Sequence, residues 1–126
     1  MHYTPQDQLA ALKLFCSTLD IWRRYGIRDA NLADIGRHIL MAQCEGKDIN
    51  VHSIAECIGS PYETVRGRVN RLLESGLFCR TDNGMIKLCS DDESMSKWKS
   101  ASQQVIDNLL AVAAEINERH RTTEIR

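Results

Sequence analysis

Apolar residues recur at three- and four-residue steps along most of this chain, and one short stretch alternates at two-residue steps. The first helical stretch opens at Thr4-Pro5-Gln6-Asp7, which offers a capping hydroxyl, a proline for the first turn and an acid three residues on. It carries Leu9, Leu12, Phe15, Cys16, Leu19 and Trp22 at helical spacing, with Arg23 and Arg24 in its last turn, and Gly26 stops it. A second helix is expected from about Asp29 or Asn31 to about Gly46, with Leu32, Ile35, Ile39 and Ala42 on its inner face. Lys47-Asp48 is the short loop that follows.

The next segment, Asn50 to Arg80, is the most informative. Val51, Ile54, Ala55 and Ile58 pattern a short helix that reaches Gly59, the residue best able to leave a helix in the left-handed region. Ser60 is expected to cap the next helix, with Pro61 in its first turn and Glu63 reaching back to complete a capping box. That helix keeps Val65, Val69, Leu72 and Leu73 on one side and Tyr62, Thr64, Arg66, Arg68 and Asn70 away from it. Two short helices joined by a tight turn, the second presenting polar side chains from its early turns, is the helix-turn-helix layout, with residues 61–75 as recognition helix.

After Gly76 the period becomes alternating: Leu77 to Thr81, then Asp82-Asn83-Gly84, then Met85 to Leu88. Asn-Gly between β-prone runs predicts a hairpin with a two-residue turn, here a wing over residues 77–88. That register sets Asp82 opposite Met85, Cys79 opposite Leu88 and Cys89 opposite Phe78, so Cys79 and Cys89 fall on opposite faces and are not expected to form a disulfide. Arg80 and Lys87 would face each other near the tip, available to a phosphate or the minor groove. The plainer alternative is an exposed, solubilising pair.

Ser90-Asp91-Asp92-Glu93 reads as a further capping box. The helix it opens carries Met95, Trp98, Ala101, Val105, Leu109, Val112 and Ile116, widened by Ile106, Leu110 and Ala113, and is expected to end near Arg119 to Arg121. Its length, roughly 40 Å, exceeds the width of a compact domain, so its apolar face runs beyond what its own domain can cover. The economical partner is a second copy, with Val105, Leu109, Val112 and Ile116 as the dimerisation stripe. The fold expected is mainly α with a small β-hairpin wing. It forms a single winged-helix domain over 1–126, with an N-terminal dimer helix (1–28), a winged helix-turn-helix (29–90) and a C-terminal dimer helix (91–126).

Composition narrows the function. The chain has 126 residues, 43% of them hydrophobic, enough for one core, and a net charge of −1, which argues against a general polyanion binder. Charge is local: from Ser60 to Arg80, four arginines oppose two glutamates, a balance of +2. No apolar run approaches a membrane span and no signal-peptide pattern opens the chain, so a reducing cytoplasm is expected. The five cysteines form no C-x-x-C pair, so neither zinc nor another metal is expected, and Cys16 and Cys57 read as small buried hydrophobes. His2, His38, His52 and His120 are isolated, with no nucleophile motif or phosphate loop, so neither enzyme chemistry nor a cofactor is expected. His52 reads as an ordinary surface residue.

The order of elements resembles the winged-helix bacterial transcription regulators, especially the multiple-antibiotic-resistance regulator (MarR-like) family. The specific part is Ile54-Ala55 through Leu77-Phe78. Within it, Thr64-Val65-Arg66, Asn70-Arg71-Leu72 and Glu74-Ser75-Gly76-Leu77 are also similar to the DNA-binding modules of DeoR- and GntR-type repressors. The resemblance implies a transcriptional regulator that binds double-stranded DNA as a homodimer, on an inverted-repeat operator. Arg66 or Arg68 could then pair a guanine edge, Asn70 or Tyr62 offer adaptable polar contacts, and Ser60, Thr64 and the helix N-terminus hold phosphate. Gly67 costs about 1 kcal/mol against alanine in mid-helix, either to let backbone approach DNA or by neutral drift on an exposed face. The rival reading is a winged helix used for protein–protein contact without sequence-specific DNA binding, since fold does not fix function. A small-molecule effector is a further expectation, with Phe15, Trp22, Tyr25 and Trp98 either lining a cleft for it or simply filling the core.

Overall fold

A computed structural model describes residues 2–125, with 122–125 described by backbone alone. Its elements are α1 (Pro5–Arg24), α2 (Ala30–Cys44), α3 (Val51–Ile58), α4 (Tyr62–Leu73), β1 (Phe78–Arg80), β2 (Ile86–Leu88) and α5 (Asp92–Ile125). The described chain is thus mainly helical, with one small antiparallel hairpin. No described helix is long and apolar enough to cross a membrane.

Local side chains start several helices. Asp29 accepts from the Leu32 N–H at 2.8 Å to open α2, and Asn50 accepts from the Ser53 N–H at 2.8 Å to open α3. Gly59 ends α3 at φ 76°, a conformation that a residue with a Cβ adopts only with strain. At two starts the cap differs from expectation. Pro61, not Ser60, stands at the N-cap of α4, which has no side-chain cap bond, and Glu63 takes Arg66 instead of reaching back. Asp91, not Ser90, caps α5 by accepting from the Ser94 N–H at 2.8 Å, while the Ser94 hydroxyl donates to the Gly76 carbonyl. The last helix also runs past Arg121, to Ile125.

Two compact units make up the chain: Met1–Ile21 with Ser100–Arg126, and Trp22–Lys99. The larger holds the core, built from Ile35 and Ile39 of α2, Ile54 of α3, Val65, Val69 and Leu72 of α4, and Phe78, Ile86 and Leu88 of the hairpin. Each such side chain contributes about 1.5–3 kcal/mol when fully buried, so α2, α3, α4 and the hairpin are held as one piece. Asp29 also binds Arg71 at 3.4 Å, a side-chain tie between the start of α2 and α4.

The hairpin register is one residue from the expected one. Phe78 pairs with Leu88, Cys79 with Lys87 and Arg80 with Ile86. The loop has three residues, Asp82-Asn83-Gly84: the Gly84 N–H donates to Thr81 O at 3.0 Å, Gly84 takes φ 81°, and the Thr81 N–H donates to Met85 O at 2.8 Å. This is a type I turn followed by a left-handed residue, the other common hairpin connection. Burial selects it. The observed register puts Phe78, Ile86 and Leu88 on one face, toward the core, whereas the two-residue turn would have set Phe78 on the face opposite Ile86 and Leu88. The shift has two further results. Cys79 and Cys89 share a face and are disulfide-bonded, contrary to the sequence expectation, and Arg80 and Lys87 do not face each other. The outward N–H groups of β2 are also occupied, Ile86 donating to Ile49 O at 2.8 Å and Leu88 to the Gln43 side chain at 3.4 Å.

In the smaller unit, α1 and the later part of α5 run antiparallel. Asp7 binds Arg119 and His120, and the Asn108 amide donates to Ser17 Oγ at 3.1 Å. Asp7 is only 2% exposed and completes the expected capping box: its carboxylate accepts from the Thr4 N–H at 3.0 Å, and its own N–H donates to Thr4 Oγ1 at 3.2 Å. The Thr4 backbone bond, followed by the Arg119 and His120 side chains, holds the Asp7 carboxyl well below the usual carboxylate range. The face of α1 turned inward is therefore the Asp7, Ala10 and Ser17 side. Leu9, Leu12 and Phe15, which recur at helical spacing, are 51%, 62% and 64% exposed. Cys16 and Cys57 are likewise exposed free thiols and not buried, as is Cys44.

Candidate nucleic-acid interface

Helical geometry sorts the side chains of α4 into three sides. At about 100° per residue, Val65, Val69 and Leu72 share the buried side. Tyr62, Arg66 and Asn70, four residues apart, run up one exposed flank, which the hairpin borders, while Thr64 and Arg68 lie on the other. Arg66 and Arg68 therefore point about 200° apart around the axis and cannot serve one contact point. Arg68 is also half-buried, whereas Arg66 is exposed.

The Tyr62 flank meets the hairpin in a cleft of about 280 Å³, with Asn50, His52, Tyr62, Arg66, Arg80 and Asn83 in its wall. Arg80 donates to Asn70 Oδ1 at 3.0 Å, so the hairpin's arginine is fixed to the helix. His52, from the first turn of α3, stacks on Tyr62 with ring centroids 4.2 Å apart and an interplanar angle of 22°. Arg66 donates to Glu63 Oε2 from Nε at 3.1 Å and from Nη2 at 2.9 Å, an interaction that raises the arginine's pKa further.

Four of the expected residues thus come together: Tyr62, Arg66, Asn70 and Arg80. Lys87 does not join them. It borders a second cleft, of about 230 Å³, against Gln43, Lys47 and Asp48, because the one-residue shift sends it to the other hairpin face from Arg80. Ser60 sits half-buried in the turn, and Thr64 is exposed on the far flank. Sequence reasoning missed two members, His52 and Glu63. His52 looked like a plain surface position because its stacking partner is contributed by the next helix. Glu63 was assigned to a cap, though an acid three residues before an arginine on a helix is itself a signal for a pair.

No protein-family model, curated protein or solved structure matches this chain.

Elsewhere in the larger unit, Trp22 and Trp98 stack with centroids 5.8 Å apart beside an apolar cavity of about 420 Å³ that Ile27, Gly36, Leu40 and Met41 also line. Trp22 and Trp98 pack partly buried against the core. Phe15, an exposed residue of the smaller unit, and Tyr25 are not among the residues lining it. Among the described residues, no group of three or more His, Cys, Asp or Glu side chains is placed to hold a metal ion.

Proposed function

We propose that this protein is a winged helix-turn-helix regulator that binds double-stranded DNA sequence-specifically, as a homodimer in the cytoplasm. The observation that carries the reading is the shared cleft of α4 and the hairpin, where Arg66 and Arg80 stand beside Tyr62, His52 and Asn70. In this reading α3 and α4 form the helix-turn-helix, and α4 enters the major groove. Arg66 and Asn70 face base edges, and Arg80 engages the backbone or minor groove from the hairpin, the wing. The stacked His52–Tyr62 pair is a preformed planar surface against the sugar-phosphate strand.

The second copy is motivated by the smaller unit. Leu9, Leu12 and Phe15 of α1 and Ile106, Leu109 and Leu110 of α5 are all about half exposed or more, an apolar load that invites a partner. A copy related by two-fold symmetry covers it with the same surface and sets two α4 helices against successive major grooves, about 34 Å apart on an inverted repeat. The cavity beside the two tryptophans is the place for a small apolar effector, and since these are the chain's only tryptophans their emission reports its filling.

Pairing of Arg66 with Glu63 and of Arg71 with Asp29 favours the second reading, a protein-facing use of the same surface, because it offsets much of the local positive charge. Titration of random-sequence duplex DNA against salt separates the two. A DNA binder loses affinity with a log–log slope of about −0.9 per phosphate neutralised. Binding that is absent at low salt, or flat with salt, refutes the DNA-binding reading.

A further inference from the structure

The Cys79–Cys89 disulfide crosses the base of the hairpin, with the two Cα atoms 5.2 Å apart and a sequence separation of 10. Two observations separate it from a bridge that holds the fold together. The hairpin is anchored without it, since Phe78, Ile86 and Leu88 are buried in the core and the outward N–H groups of β2 are bound by Ile49 and Gln43. The two sulfurs also differ in access. Cys79 is half-exposed, while Cys89 is only 5% exposed, so a thiol in solution can reach the first and meets the second only through it. Cys79 is paired across the ladder with Lys87, on the hairpin face away from Arg80.

We propose that Cys79 and Cys89 form a reversible redox modification site, where a low-molecular-weight disulfide such as oxidised glutathione sets how firmly the hairpin is closed. The Cys79 thiolate attacks one sulfur of glutathione disulfide, forming a mixed disulfide and releasing one glutathione as thiolate. Cys89 gives its proton to solvent and attacks the Cys79 sulfur, which breaks the mixed disulfide and releases the second glutathione. Two protein thiols lose two electrons and two protons, and the glutathione disulfide is reduced to two thiols. Excess reduced glutathione runs the sequence backward, which makes the bridge transient in a reducing compartment.

Buried core side chains fix the base of the hairpin but not its outer part, Arg80 to Gly84, which is exposed or half-exposed; with strands of only three residues, the cross-link limits the motion of that part. Arg80 adjoins Cys79 in sequence and is the residue bound to Asn70, so the oxidised form keeps Arg80 in the cleft and the dithiol form releases it. The effect on DNA rests on the DNA-binding reading above; the thiol chemistry does not.

The test uses the full chain carrying Cys16→Ser, Cys44→Ser and Cys57→Ser, positions whose thiols are exposed and free. It is equilibrated with reduced or oxidised glutathione. Oxidised glutathione should yield a chain lighter by two hydrogens with no glutathione attached. Amide exchange over Cys79–Leu88 should slow roughly tenfold, and random-duplex affinity should rise roughly three- to tenfold through pre-organisation of Arg80. Adding Cys79→Ser, with circular dichroism to verify folding, should remove all three responses. A chain that stays a dithiol, stops at a stable mixed disulfide, or exchanges its hairpin amides equally in both states overturns the proposal. Bridge formation with slowed exchange but no duplex binding in either state supports the redox site and overturns the DNA-binding reading instead.

Discussion

Arg66 reaches the cleft with its guanidinium held by Glu63 at 2.9 Å, so an anion that Arg66 is to bind has to displace or share with that carboxylate. Glu63→Gln should therefore tighten binding of random duplex DNA roughly two- to fivefold at low salt, and fluorescence anisotropy reads the change. Arg66→Ala should do the opposite and lower affinity for the best selected sequence about tenfold or more, with the fold intact. Asp7 yields a prediction of a different kind. Its carboxyl is depressed when folded, chiefly by the Thr4 backbone bond, so its contribution to stability is complete above the ordinary carboxylate value of 3.8 and is lost as pH falls below it. Amide exchange in the first turns of α1 should quicken as pH drops below about 4 after correction for intrinsic rates. Asp7→Asn should be faster already at neutral pH and lack that acid step. Half of the Asp7 site was legible, because Thr4 and Asp7 are three residues apart and form a local motif. Arg119 and His120 lie more than a hundred residues away in sequence, and no periodicity announces a pairing of that range.

At the scale of elements, what the sequence reveals depends on whether a feature is local. Helix positions were legible from apolar spacing and caps to within a few residues at most ends, and the hairpin from its alternating run and Asn83-Gly84. Its register was not. Asn-Gly serves both a two-residue turn and the last two places of a three-residue loop, and the choice belongs to the core that receives Phe78, Ile86 and Leu88. The same one-residue difference decides the disulfide, the separation of Arg80 from Lys87 and the make-up of the cleft. Gly67 in α4 tests the helix itself. A Cβ there would meet nothing within 4 Å, so Gly67→Ala should stabilise the protein by about 1 kcal/mol, measured as a raised thermal midpoint. If α4 lies in the major groove, the added methyl on its outermost ridge should at the same time weaken duplex binding.

For the whole molecule, the apolar stripe of α5 was legible and its occupant was not. Spacing names which residues are apolar on one face; it does not say whether α1, the rest of the chain or another copy covers them. On the chain alone Leu109 remains 51% exposed and Leu110 61%, while Val105, Val112 and Ile116 are half-buried. In the proposed dimer, Leu109→Glu should give monomers by light scattering at micromolar concentration and weaken operator binding, while leaving the unit Trp22–Lys99 folded. An unmutated protein that scatters as a monomer at that concentration would refute the dimer and the inverted-repeat operator with it. One backbone detail reaches beyond the single molecule. With Ile49 and Gln43 occupying the outward N–H groups of β2, the hairpin's other edge is β1, only three residues long and ending at a charged arginine. A stray strand from a neighbouring chain finds almost no ladder to extend there, so crowding many copies together carries little risk of sheet-driven aggregation through the hairpin.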